Sequence, residues 1–163
     1  MGNGAQGVFL RAPDGTIQWL SVPEGTLVTG INDSHEVVGY AFDPFGSDLL
    51  CNPCGLVGTL NGPFTEFLDS SETYALGINN SGVAVGLSQS LLAAFLRNPD
   101  SPVDFFIRGD QTYFPGGLGI NNQGQIAGGA FCDFFFDPTP PYLGCQPFQR
   151  QTNGFIRQAD GSF

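Results

Sequence analysis

The chain is 163 residues long and 41% hydrophobic, which suits a packed core and argues against disorder. Its 24 glycines and 12 prolines favour short strands and tight turns over helices. Fifteen carboxylates against five arginines, with no lysine, give a net charge of −10, which argues against a nucleic-acid partner and disfavours anionic membrane surfaces. No apolar run approaches the ~20 residues that span a bilayer. Met1-Gly2-Asn3-Gly4 has neither the basic region nor the apolar core of a signal peptide, so secretion would rely on a signal removed from, or lying outside, this chain.

The predicted elements begin with a hairpin. Val8-Phe9-Leu10-Arg11 leads through Pro13-Asp14-Gly15 into Thr16-Ile17-Gln18-Trp19-Leu20, whose alternation predicts a half-buried strand. Thr26–Ile31 then opens the first copy of a ten-residue phrase at 30–39, Gly-Ile-Asn-Asp-Ser-His-Glu-Val-Val-Gly. The phrase returns at 77–86 and 119–128 with unchanged length, and spacings of 47 and 42 residues mark a repeat protein. Each copy reads as a strand, a turn that needs Asn and Gly, and a returning strand such as Val37–Phe42, Val83–Leu87 or Ile126–Phe131. Gly39, Gly86 and Gly128 are expected at bulges or at close approaches of neighbouring sheets. Asn32, Asn79 and Asn121 are expected to cap their own turns. His35 stands where the other copies have Gly82 and Gly124, so it is predicted to take a left-handed conformation under mild strain.

A variable loop follows the first phrase, at about 43–55. It holds Asp43 and Asp48, the calcium candidates, and the pair Cys51 and Cys54. The third strand of the unit carries a Phe-Leu-Arg signature: Val8–Arg11, Ala94–Arg97, Gly154–Arg157 and the degenerate Leu56–Leu60. A turn and a fourth alternating strand, such as Phe64–Leu68, complete it. The last loop, about 131–152, contains Cys132 and Cys145 and is rich in aromatics: Phe134, Phe135, Phe136 and Tyr142 are candidates for binding a partner.

Four cysteines allow three pairings. Cys51–Cys54 and Cys132–Cys145, each local to a loop, are the economical ones and imply an oxidising compartment. A redox dithiol would need a βαβ context. Zinc would need a second pair of matching spacing. Neither is present in the pattern. The sequence implies no cofactor and no firm metal site. It also offers no catalytic constellation: the single histidine, His35, lies in a turn, and no spacing singles out a carboxylate pair.

The phrase, followed by Ala93-Ala94-Phe95-Leu96-Arg97 and a turn, resembles the HAF family of extracellular repeats, with Ala93 in place of that family's His. Looser copies are Gln6-Gly7-Val8-Phe9 and Asn153-Gly154-Phe155. The resemblance implies a secreted bacterial or archaeal protein built of β-propeller blades, with no catalytic residues. About fourteen strands are expected within a single all-β domain over residues 1–163. At four strands per unit that makes about three and a half repeats, with a β-trefoil as the alternative architecture. The expected function is a non-enzymatic structural or interaction protein, extracellular or periplasmic, that associates with a protein partner or its own copies. A carbohydrate-binding or carbohydrate-active module facing a cell-surface polysaccharide is the alternative, with Asp43, Asp48, Asp133 and Asp137 as its carboxylates.

Overall fold

The computed structural model describes residues 7–42, 52–60, 62–66, 72–91, 93–106, 114–132 and 151–163. Among them are thirteen strands and no helix, against about fourteen strands expected. β1 (Val8–Arg11) and β2 (Ile17–Leu20) form a two-stranded sheet. β3 (Thr26–Ile31), β4 (Glu36–Ala41), β5 (Cys54–Thr59) and β6 (Thr65–Glu66) form a four-stranded one. β7 (Thr73–Ile78), β8 (Ala84–Ser88), β9 (Ala93–Arg97) and β10 (Asp104–Phe106) repeat it. β11 (Phe114–Ile120), β12 (Ile126–Cys132) and β13 (Gln151–Arg157) make a three-stranded sheet.

Every strand pairing is antiparallel and joins consecutive strands, so no sheet mixes strands of two repeats among the described residues. The Asn-turn therefore joins the first and second strands of each unit. The second and third strands flank the variable loops. Those loops are shorter than the sequence suggests. Cys54 already belongs to β5, opposite Ala41, and β12 runs to Cys132, where Gln151 of β13 faces it.

Each of the two four-stranded sheets stacks on its successor through an apolar layer. One core cluster joins Val38 of β4 to Ala75, Ile78, Ala84 and Phe95, with Val57, Val103 and Phe105 at its margin. The next joins Val85 and Ala94 to Leu118, Ile126 and Phe155, with Leu76, Leu96, Phe106 and Ile120 around it. Burying such a side chain stabilises the fold by about 1.5–3 kcal/mol.

The glycines after each turn permit close packing within a sheet. A Cβ on Gly39 would lie 2.1 Å from the Leu27 carbonyl oxygen, and one on Gly86 would lie 2.0 Å from that of Tyr74. At both places the facing first strand carries a bulge, between Val28 and Gly30 and between Ala75 and Gly77. The bulge was anticipated; the close approach is to the facing strand of the same sheet and not, as expected, to a neighbouring sheet. The expectation for β2 is corrected. Its alternation does not make it half-buried: Ile17 and Trp19 are 54% and 68% exposed, and only Leu20 is half-buried. Its apolar Ile17 and Trp19 lie with Phe9 on the solvent-facing side of the hairpin, and Gln18 on the opposite side is exposed too. No helix among the described residues is long and apolar enough to cross a membrane.

Candidate functional site

The repeated phrase builds the same turn three times. In the first copy, Asn32 Oδ1 accepts hydrogen bonds from the backbone N–H of Ser34 (3.0 Å) and Glu36 (2.9 Å). Asn79 does the same for Ser81 and Val83, each at 3.0 Å, and Asn121 for Gln123 (3.0 Å) and Gln125 (2.9 Å). The backbone closes each turn, with His35, Gly82 and Gly124 donating to the carbonyls of Asn32, Asn79 and Asn121. That third turn residue must have positive φ. It is 74° at Gly82 and 76° at Gly124, and His35 adopts 62°, the strained conformation the sequence predicted. His35 is exposed, as a turn residue should be.

The side-chain amides do a second task. Asn32 Nδ2 donates to the Asn79 carbonyl across the repeat boundary (3.0 Å), and Asn79 Nδ2 donates to that of Asn121 (3.2 Å). One residue on, the Asp33 N–H donates to Asn80 Oδ1 (3.1 Å), and the Asn80 N–H to Asn122 Oδ1 (2.9 Å). The turns thus form a ladder in which each copy donates two hydrogen bonds to the next. Asn32 and Asn79 are buried, and burial demands partners for such amides. Burial also closes both residues to glycosylation, although Asn32-Asp33-Ser34 and Asn79-Asn80-Ser81 match the acceptor triplet. In the last copy, Asn121 Nδ2 turns to Gln125 Oε1 (2.8 Å) and the residue is exposed. Sequence reasoning found the caps and missed the ladder. Its signal was the second Asn or Asp at 33, 80 and 122, which capping alone does not need.

Other bonds reinforce the boundaries. Thr29 Oγ1 donates to the Ala75 carbonyl (2.7 Å), and Thr73 Oγ1 accepts from the Gly55 N–H (2.8 Å). Arg157 lies 4.7 Å from the ring centroid of Phe106, a cation–π contact between the third repeat and the second.

In the turns that follow β1 and β13, Asp14 accepts from the Thr16 N–H (2.9 Å) and Asp160 from the Ser162 N–H (2.9 Å). Those backbone hydrogen bonds hold both carboxyls below the ordinary aspartate range. Near the first variable loop, Tyr40 packs edge-on against Phe42 (5.9 Å) and Tyr74 (4.8 Å). Burial, followed by the nearby Glu72, raises the Tyr74 phenol, which bonds Gln89 Oε1 (3.1 Å). Trp19 borders an open groove with Val22, Pro23, Leu60, Pro63 and Phe64.

Several candidates cannot be placed. Asp43, Asp48 and Cys51 lie outside the described residues, as do Asp133, Phe134, Phe135, Phe136, Asp137, Tyr142 and Cys145. Cys132 closes β12, but its side chain is outside them too. Cys54 is fully buried and is not a free thiol. No group of three or more His, Cys, Asp or Glu able to hold a metal gathers among the described residues. In comparisons with known proteins, no family model, curated protein or solved structure matches this chain.

Proposed function

We propose that this chain is a non-enzymatic, extracellular β-repeat protein that works by association, with its own copies or with another chain in a larger assembly. One observation carries the reading: the same hydrogen bonds join repeat one to repeat two and repeat two to repeat three. The phrase is a stacking device, and the side chains of Asn32, Asn79, Asn80 and Asn122 serve the repeat boundaries. His35, the one histidine, serves as a turn residue with positive φ.

Separate sheets of consecutive strands, the four-stranded ones each stacked on the next, support a propeller-like arrangement of HAF-type blades. The buried Cys54, which is not a free thiol, supports an oxidising location, with Cys51–Cys54 and Cys132–Cys145 as the pairs.

Light scattering across a wide concentration range tests the reading. The expected result is a mass that rises above 17.3 kDa with concentration. A mass that stays at one chain throughout counts against association between copies.

A further inference from the structure

We propose that the exposed face of β1–β2, carrying Phe9, Ile17 and Trp19, docks on the outer face of the third repeat of a second copy, at Ala127 and Ile156. The stack of repeats then continues from molecule to molecule. This inference rests on the association reading and names its interface.

Strand register supplies the argument. At the boundary between the first and second repeats, the paired Phe95 and Phe105, with Val103, cover the paired Val38 and Val57 of the preceding repeat. At the next boundary, Phe155 covers the paired Val85 and Leu96. At the first of these junctions the later repeat supplies the aromatics and the earlier one the aliphatics; at the second, Phe155 of the later repeat takes that part, and Phe106 of the earlier repeat joins the layer at its margin.

Both halves recur unmatched at the two ends of the stack. In β1–β2 the pair Phe9 and Trp19 holds the place of Phe95 and Phe105, and Ile17 that of Val103. Where Phe95 is 0% exposed, Phe9, Ile17 and Trp19 are 54%, 54% and 68% exposed. In the third repeat, Ala127 pairs with Ile156 just as Val38 pairs with Val57 and Val85 with Leu96. Val38 and Val85 are fully buried, whereas Ile156 is 56% exposed and Ala127 is exposed.

The sizes also match. Trp19 is larger than Phe105, and Ala127 is smaller than Val38 or Val85. The two halves differ and sit on opposite ends, so the contact is head-to-tail: it closes a ring of molecules if the rotation between copies permits and continues as a filament if it does not. An aromatic anchor on a small-residue floor is the kind of contact that dominates interface energetics.

Trp19 is the only tryptophan, so its fluorescence reads the interface directly. Sedimentation and emission spectra are recorded from micromolar to millimolar concentration for the wild-type chain, Trp19→Arg and Ile156→Arg. Far-UV circular dichroism confirms that both variants fold, as substitutions at exposed sites should. The wild type is expected to associate with a blue shift of its emission. Each variant is expected to associate at least ~30-fold more weakly, the change carried by a hot-spot residue. Mixed together, the variants should form a one-to-one complex, because each retains the face the other lacks. The emission of Ile156→Arg should then shift as Trp19→Arg is added.

A wild type that associates while both variants associate equally well overturns the interface and leaves the association reading standing. A mixture that forms no complex also overturns the interface. A wild type that stays monomeric overturns both the interface and the association between copies on which it rests.

Discussion

Phe95 and Phe9 occupy the same place in the same kind of strand, yet they live in opposite environments. Phe95 is fully buried between two repeats and touches Val38 of the sheet before it. Phe9 is 54% exposed and meets Trp19 edge-on, with ring centroids 5.8 Å apart. The local sequence, Val-Phe-Leu-Arg against Ala-Phe-Leu-Arg, barely differs. Position in the stack makes the difference: an interior repeat has a neighbour on each face, and a terminal one does not. In a repeat protein, stability is then largely a sum over junctions rather than over residues.

Substitutions at matched positions can break that comparison. The largest effect is expected from Phe95→Ala, which should cost about 3–5 kcal/mol, while Phe9→Ala should change the stability of the isolated chain by no more than ~0.5 kcal/mol. Urea unfolding at low concentration measures both, and equal losses would show that the interior junction is no tighter than the exposed end.

Glycines give the next contrast. A Cβ on Gly86 would lie 2.5 Å from Phe95 Cζ and nearer still to the Tyr74 carbonyl, whereas one on Gly119 would meet nothing within 4 Å. Gly86→Ala should therefore lower stability by about 1–3 kcal/mol or more, and Gly119→Ala by little, as read from thermal midpoints.

Asn79 and Asn121 sharpen the comparison further. Both cap their turns, but only Asn79 is buried and donates across a repeat boundary. Asn79→Ala is expected to cost about 1–3 kcal/mol and to exceed Asn121→Ala by roughly 1 kcal/mol, one net hydrogen bond. Hydrogen exchange should show the Val83 amide losing protection in the first variant.

His35 should give the smallest effect. At φ 62° it carries strain that glycine would not, so His35→Gly should raise stability by no more than ~1 kcal/mol, the gain being reduced by the wider freedom of glycine in the unfolded chain. A clear loss instead would mean that the imidazole makes a stabilising contact.

Much of this was readable in advance, and the reasons are local. The turns were legible because a positive φ restricts the third turn position to Gly or a tolerant substitute, and a turn that needs an Asn cap keeps Asn32, Asn79 and Asn121 in phase. The β4, β8 and β12 strands were legible because apolar residues follow each turn at fixed distance. The ladder was not legible, because an amide that caps its own turn shows the same sequence mark whether or not its nitrogen reaches the next repeat. Nor was the exposure of β2. Alternation in Ile17-Gln18-Trp19-Leu20 shows that two faces differ, and it is silent on which face finds a neighbour.

The sequence by itself determined the unit: its strands, its tight Asn turns, its close-packed glycines and the number of times they recur. Those features depend on backbone dihedrals and on side chains a few residues apart, and any copy of the phrase would fold its turn the same way. Only the tertiary structure decided what the unit does. Stacking brings Asn32 to the Asn79 carbonyl across 47 residues of chain, buries Phe95 on Val38, and leaves Phe9, Trp19 and Ile156 in solvent at the two ends. Burial is a property of neighbours, and the neighbours of a strand are set by the packing of whole sheets.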